Sequence, residues 1–138
     1  MTDPSRGTGR IVVVDDQLMF AQVVAVALAR HGFDASSADL SPGTRLTALV
    51  SRLERDPPDV MLVDLDLGEF GDGDVLIQPA VRAGIEVIVV TDSTDQGDQD
   101  RALESGARSI LRKTQSLSDL VHEVSGLLSE RHGLAAST

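Results

Sequence analysis

The sequence predicts a doubly wound α/β domain of the (βα)5 type, in which helices cover both faces of a five-stranded parallel sheet. Short apolar runs rich in β-branched residues recur along the chain. They are continuous rather than alternating, which is typical of strands buried on both faces of a parallel sheet. Segments with apolar residues at helical spacing lie between the runs. Strands and helices in this alternation favour parallel pairing through right-handed crossovers.

Four of the five predicted strands are apolar runs. They lie at 11–14, 60–63, 86–90 and 109–111. The remaining strand, second in chain order, is placed at 33–38 mainly because the first helix must return to the sheet there, and its own sequence is a weak strand signal.

Five predicted helices alternate with these strands, at 18–30, 44–55, 75–82, 99–105 and 117–130. The first carries apolar residues at 18, 21, 25 and 28 and ends at His31 and Gly32, a typical helix C-terminus. The second stops before a Pro-Pro pair, and Pro79 is expected to bend or weaken the third. One domain is therefore expected at 10–130, with a flexible tail at 1–9 and a tail or the start of a linker at 131–138.

The composition excludes several classes of protein. The 138 residues carry 12 Lys and Arg against 22 Asp and Glu, a net charge of −10, which argues against direct binding to nucleic acid phosphates. With no cysteine there is no disulfide and no cysteine zinc site. No apolar stretch approaches the ~18–20 residues of a membrane span, and a signal peptide is not recognisable. We expect a cytoplasmic protein that does not enter a membrane.

Polar side chains follow four of the predicted strands at the point where each strand ends. Because the carboxyl ends of parallel strands meet at one edge, where doubly wound domains bind ligands, these side chains are expected to form one site. Each has a structural explanation when taken alone, such as helix capping by aspartate. Their convergence favours a function. They are Asp15, Asp16, Asp64, Asp66, Thr91 and Lys113, the last being the only lysine beside 11 arginines.

Three carboxylates packed together require a cation. Two of them ~4 Å apart repel by about 4 kcal/mol at an effective dielectric constant near 20. Oxygen ligands select a hard ion, and Mg²⁺ is usual where phosphate is also bound. An aspartate is ionised at neutral pH and can attack phosphorus without a general base. Lys113 would then neutralise charge on the transferring group, and the Thr91 hydroxyl would donate a hydrogen bond to it.

Four motifs agree in order and spacing with one known family. They are IVVVDD at 11–16, PDVMLVDLDL at 58–67, VIVVT at 87–91 and GARSILRK at 106–113. Through them the chain resembles the receiver domain of two-component response regulators over residues 9–130. The resemblance implies a flavodoxin-like sheet with strand order 2-1-3-4-5.

The resemblance also implies a role for each site residue. Asp64 is the phosphoacceptor, which receives a phosphoryl group from the phosphohistidine of a sensor histidine kinase. Mg²⁺ is bound by the side chains of Asp16 and Asp64, by the backbone carbonyl of Asp66 and, mostly through water, by Asp15. Thr91 and Lys113 contact the phosphoryl group. Such a domain is a switch rather than an enzyme, and its only chemistry is its own phosphorylation and dephosphorylation.

The resemblance implies less directly what the domain controls and how it assembles. GARSILRK without a following proline is similar to receivers of LuxR-like or NarL-like regulators, which control transcription through a separate DNA-binding domain. Homodimers through helix four, strand five and helix five are a reasonable expectation for this family. No direct contact of this domain with nucleic acid is expected.

Four positions depart from the family pattern. Ile110 replaces an aromatic residue, so the usual threonine–tyrosine coupling cannot operate. Asp92 replaces a small residue and is expected to place a fourth carboxylate near the phosphoryl site, altering phosphorylation or its lifetime. Gly68 and Thr114 each stand where proline is frequent.

Two other functions fit part of the sequence. Asp64-Leu65-Asp66 also resembles the nucleophile motif of haloacid dehalogenase-type phosphatases, but in those enzymes this motif comes first in the chain and the paired acids come last. The other alternative is a receiver-like interaction module that is never phosphorylated. Ile110 and Asp92 favour that module, whereas the complete set of rim residues argues against it.

Overall fold

The computed structural model describes residues 9–137, and the side chains as far as Ser129. Five strands form one parallel sheet in the order β2-β1-β3-β4-β5, as predicted. Residues 1–8 of the predicted N-terminal tail lie outside the described residues. The strands are β1 (Arg10–Val14), β2 (Asp34–Ser37), β3 (Val60–Val63), β4 (Glu86–Thr91) and β5 (Ser109–Arg112).

Five helices connect or follow these strands, also as predicted. Two short 3₁₀ turns, Gly68–Phe70 and Gly73–Leu76, precede the third helix. None of the described helices is both long and apolar enough to cross a lipid bilayer. The helices are α1 (Leu18–Arg30), α2 (Leu46–Arg55), α3 (Ile77–Arg82), α4 (Gln96–Glu104) and α5 (Leu117–Ser137).

The sheet is buried on both faces, which explains the continuous apolar runs. On β1, Ile11 and Val13 pack in a cluster with α1 and α5. Val14 packs in the opposite cluster with α2, α3 and Ala102 of α4. Because successive side chains of a strand point to opposite faces, a strand covered on both sides must be apolar at every position.

Several helix boundaries differ from the prediction. α4 begins at Gln96 rather than at residue 99, because the Asp95 side chain accepts a hydrogen bond from the Asp98 amide at 3.0 Å and caps the helix. The residues before Ile77 form a 3₁₀ turn, and α2 begins at Leu46. The last helix continues to Ser137, so residues 131–137, predicted as a tail, have helical backbone.

One predicted core position of α1 is exposed. Ala21, Ala25 and Leu28 are buried as their spacing predicts, whereas the Leu18 side chain is half exposed. Leu18 is the first residue of the helix and lies beside the carboxyl edge of the sheet, beyond the strands that would cover it.

Candidate functional site

The predicted site residues lie at the carboxyl edge of the sheet. Asp15 directly follows β1 and Asp64 directly follows β3, and these residues are only 3% and 6% exposed. Thr91 is the last residue of β4 and is 1% exposed. The buried polar or charged residues of the described part of the chain are Asp15, Asp64 and Thr91. Burial of polar groups therefore distinguishes this edge of the sheet.

Lys113 joins the two buried carboxylates. Its Nζ lies 2.8 Å from Oδ2 of Asp15 and 2.9 Å from Oδ2 of Asp64, and its side chain is 5% exposed. A single ammonium thus faces two carboxylates in a site largely removed from water. Removing a cation from such a site would leave uncompensated buried charge, which costs several kcal/mol.

Two further residues hold Lys113, and neither was predicted from the sequence. Nζ donates to Oε1 of Gln17 at 2.7 Å and lies 4.6 Å from the centre of the Phe20 ring. The second contact is a cation–π interaction. Gln17 follows the paired aspartates directly, but no local pattern connects it with a lysine 96 positions away.

Burial and ion pairing shift two pKa values in this group. Burial raises the pKa of Asp15, although hydrogen bonds from Lys113 and the Gln17 amide oppose the shift. Burial acts to lower the pKa of Lys113, but its hydrogen bonds to Asp15 and Asp64 outweigh that effect, and the pKa is raised. Lys113 therefore remains an ammonium ion at neutral pH.

Three carboxylates form a group able to hold a metal ion. One oxygen from each of Asp15, Asp16 and Asp64 lies within 4.8 Å of the others, and Asp16 is exposed to solvent. Hard oxygen ligands of this kind suit Mg²⁺. The two buried carboxylates form the charged base of the site. The third is exposed, so an ion can enter from solvent. The donor set therefore fits the metal that the sequence predicts.

Asp66 does not bring its side chain into that group. Its amide donates to Oδ1 of Asp64 at 3.1 Å, and its own Oδ1 accepts from the Gly68 amide at 2.9 Å. Asp66 thereby orients the Asp64 carboxylate, while its own carboxylate stabilises the loop that follows β3.

Thr91 is held by its own loop. Its Oγ1 accepts a hydrogen bond from the Ser93 amide at 3.2 Å, and its backbone oxygen accepts from the Lys113 amide at 3.1 Å. The hydroxyl proton remains available for another acceptor, because the bond to Ser93 uses an oxygen lone pair. Asp92, between them, is exposed.

Ile110 lies half-buried against the cluster that includes α2 and α3. An aliphatic side chain at this place on β5 packs as core. It carries no hydroxyl that could exchange hydrogen-bond partners.

Fold and site together define a class: doubly wound α/β domains whose carboxyl edge holds a group of aspartates against a buried lysine. A family model described as "Response regulator receiver domain" matches residues 11–125. The chain belongs to the receiver domains of two-component response regulators. It is therefore not assigned to the haloacid dehalogenase-type phosphatases.

Curated relatives agree with this assignment. The chain is 33% identical over 115 residues to the DNA-binding response regulator MtrA of Mycobacterium tuberculosis, covering 83% of this chain and 48% of the relative. It is 30% identical over 103 residues to the transcriptional regulatory protein KdpE of the same species, covering 75% and 43%. The chain spans about half the length of the curated relatives that it matches.

Solved structures share the fold. A CheY-like receiver domain protein from Methanospirillum hungatei matches with a TM-score of 0.75 at 22% identity, covering 90% of this chain and 96% of that one. The receiver domain of the response regulator NarL from M. tuberculosis matches with a TM-score of 0.69 at 25% identity, covering 87% and 95%.

Proposed function

We propose that this domain is a phosphorylation-dependent switch in which Asp64 accepts a phosphoryl group from the phosphohistidine of a sensor histidine kinase. The observation that carries the proposal is the position of the Lys113 ammonium, 2.9 Å from Asp64 and 2.8 Å from Asp15. An Asp64 oxygen bonds to phosphorus while the P–N bond of the donor breaks and its electron pair stays on the imidazole. Carboxylates need no general base for such an attack.

The chain's own residues position and neutralise the transferred group. Lys113 supplies positive charge beside the acceptor oxygen, and the Asp66 amide fixes the orientation of the Asp64 carboxylate. The Thr91 hydroxyl donates its free proton to a phosphoryl oxygen. Water later attacks phosphorus, the bond to Asp64 breaks, and inorganic phosphate leaves, so that the signal is limited in time.

We assign the metal site to the same group. The side chains of Asp16 and Asp64 and the backbone carbonyl of Asp66 would hold Mg²⁺, and Asp15 would hold it through water. The support is the 4.8 Å grouping of three carboxylate oxygens and the solvent exposure of Asp16. When bound, the ion neutralises the oxygens of the transferring phosphoryl group.

The kinase needs a surface beside Asp64, and α1 offers one. Met19, Val23 and Val26 are exposed, the first of them by 79%, and their spacing of four and three residues puts them on one side of the helix. The helix begins two residues after Asp16. Exposed apolar side chains grouped in this way mark protein contact surfaces.

The MtrA relative points to an output through DNA. MtrA is a DNA-binding regulator and matches this chain over about half of its length. We propose that phosphorylation changes the surface of α4, β5 and α5, that this surface forms a homodimer, and that a separate domain contacts DNA. With a net charge of −10 in its sequence, this domain itself is poorly suited to contact phosphates.

Mass spectrometry after incubation with acetyl phosphate tests the proposal directly. The parent chain is expected to gain the mass of one phosphoryl group with Mg²⁺ and not with EDTA, and to lose it again with time. Asp64→Asn is expected to gain nothing. Asp72→Asn, a loop aspartate outside the carboxylate group, is the matched control and should behave like the parent.

An unmodified parent would favour the alternative of a receiver-like interaction module. Modification of Asp64→Asn to the same extent as the parent would place the acceptor elsewhere and contradict the assignment.

A further inference from the structure

A cavity of about 510 Å³ lies between β1, β2 and α2, and none of the three grouped carboxylates lines it. Arg10, the first residue of β1, and Pro58, just before β3, line one end of it, and Ala38 and Asp39, which follow β2, line the other. At ~3.3 Å per residue along β1, Arg10 and Asp15 are about 16 Å apart. The end of the cavity that Arg10 lines is therefore distant from the phosphoryl site.

The cavity has a local cause in β2. Ser36 pairs with Val12 in the sheet yet remains exposed, and both residues line the cavity. Ser36 is small and polar, whereas a strand residue covered by a helix is usually aliphatic.

The floor of the cavity is apolar and its rim is charged. Leu49 and Leu53 of α2 and Ala38 contribute buried aliphatic surface. Ligand sites of roughly 300–1,000 Å³ with an apolar lining and a few charged groups are typical for small molecules. The volume and lining both fall within that description.

The rim carries three arginines and two aspartates. Arg10 is already paired, because its guanidinium lies 3.0 Å from Oδ1 of Asp56 and 2.6 Å from the Asp56 backbone oxygen. Arg52 donates only to the backbone oxygen of Asp39, at 3.4 Å. Within the described residues, neither Arg52 nor Arg55 has a carboxylate partner. Two guanidinium groups without a carboxylate partner among the described residues, at one cavity in a chain of net charge −10, provide a local place for an anion.

We propose that this cavity is a binding site for a small amphipathic organic anion. Its aliphatic or aromatic body lies on Ala38, Leu49 and Leu53. Its carboxylate, sulfonate or phosphate is held by Arg52 and Arg55. The Asp39 carboxylate on the same rim repels a second negative group and favours ligands with a single charged end.

The fluorescent probe 8-anilinonaphthalene-1-sulfonate tests this site in the native chain. N-phenyl-1-naphthylamine, which has the same aromatic body and no sulfonate, is the matched ligand. The variants are Arg52→Gln, Arg55→Gln and Ser36→Leu, the last of which fills the cavity. Arg30→Gln, an exposed arginine at the end of α1, is the matched charge control, and Asp64→Asn separates this site from the phosphoryl site.

We expect one equivalent of the sulfonate probe to bind. Its Kd should rise about tenfold in each of Arg52→Gln and Arg55→Gln, as expected for loss of a charge-assisted hydrogen bond. Ser36→Leu should abolish binding, and Arg30→Gln and Asp64→Asn should leave it unchanged. The naphthylamine should bind more weakly than the sulfonate, with no response to either arginine variant.

Three results would overturn the site: no binding of the sulfonate, equal binding of the uncharged ligand, or the same Kd in Arg52→Gln and Arg55→Gln as in Arg30→Gln. Arg52 and Arg55 are exposed, so their variants are expected to fold and to test the site even if Ser36→Leu does not fold. Circular dichroism of each variant establishes that the fold is retained.

Discussion

The loops that follow β3 and β4 lie at the same edge of the sheet, but they are held in different ways. The β3–α3 loop, residues 64–76, is held mainly by backbone–backbone hydrogen bonds, with the carboxylates of Asp64 and Asp66 each accepting one amide bond. The Gly73 amide donates to the Leu65 oxygen at 2.8 Å, and the Leu67 amide donates to the Gly71 oxygen at 3.0 Å. Asp66 and Asp72 form an antiparallel bridge across it.

The β4–α4 loop, residues 92–95, is held by side chains. Ser93 is its centre: its amide donates to Thr91 Oγ1, its hydroxyl donates to Asp98 Oδ2 at 3.1 Å, and its backbone oxygen accepts from Gln99 Nε2 at 3.1 Å. Asp98 and Gln99 are in the first turns of α4.

The two loops therefore differ in how easily they rearrange: the β3–α3 loop is a fixed frame, and the β4–α4 loop is a movable connection. Backbone hydrogen bonds change only when the chain itself moves, whereas side-chain bonds are exchanged by rotation about χ angles. We infer that the β3–α3 loop keeps Asp64 in place. The β4–α4 loop passes a change at Thr91 to α4, which is a route that needs no aromatic residue at position 110.

Gly73→Ala is expected to give the largest effect, because it acts on the fixed frame. A Cβ at residue 73 would lie 1.9 Å from the Asp64 backbone oxygen and 3.0 Å from its carbonyl carbon, so the backbone must shift. We expect the free energy of unfolding to fall by about 3 kcal/mol, as in severe overpacking, and phosphorylation to be lost with it. Urea denaturation followed by circular dichroism measures the loss, since the chain has no tryptophan or tyrosine.

Gly126→Ala is the control for that experiment. A Cβ there meets nothing within 4 Å, and in a helix alanine is more favourable than glycine by about 1 kcal/mol. Equal stability changes in the two variants would contradict the view that the β3–α3 loop is a rigid frame.

Gly68→Ala is expected to affect metal binding more than stability. Gly68 has φ +60°, and a Cβ there would lie 2.4 Å from Oδ2 of Asp16, the far end of a side chain that can rotate away. We expect a stability loss of about 1 kcal/mol from the backbone conformation alone. We expect Mg²⁺ affinity to fall about tenfold, as when a group that orients a metal ligand is changed.

Gly43→Ala separates the two contributions, because Gly43 has φ +87° and open space around it. Isothermal titration calorimetry should find parent-like Mg²⁺ affinity in Gly43→Ala and weaker affinity in Gly68→Ala. Equal affinities would mean that contact with Asp16 has no part in metal binding.

The sequence predicted those features of the sheet and the site that depend on local sequence patterns. Continuous apolar strands ending in Asp15, Asp64 and Thr91 determine both the sheet and the edge at which the site forms. Lys113 was predicted to join them by the same rule, because β5 is parallel to the others.

The contacts that hold the site were not predictable, because no local pattern encodes them. The pairing of Gln17 with Lys113 depends on the three-dimensional arrangement of β1 and β5. The close approach of Gly73 to Asp64 depends on the path of the β3–α3 loop. The early start of α4 was missed because residues 92–100 have no apolar periodicity, although Asp95 is a good helix cap.

Ser93→Ala is expected to give a small change in stability and to sharpen the comparison most. It removes the hydroxyl bond to Asp98 and the bond that the hydroxyl oxygen accepts from the Asp95 amide, but it keeps the amide bond to Thr91, so we expect a loss of about 1 kcal/mol. Phosphorylation of Asp64 should proceed as in the parent, because no group that contacts the acceptor changes. The response of α4 should weaken, since one of the bonds that join the loop to the helix is missing.

NMR comparison of amide shifts in residues 96–104 before and after phosphorylation measures that response. Thr94→Ala, which changes an exposed hydroxyl in the same loop, is the control and should respond like the parent. If α4 shifts equally in Ser93→Ala and the parent, the bond to Asp98 does not transmit the signal. The change at Thr91 must then reach α4 through the backbone, and the two loops would differ less than their hydrogen bonds indicate.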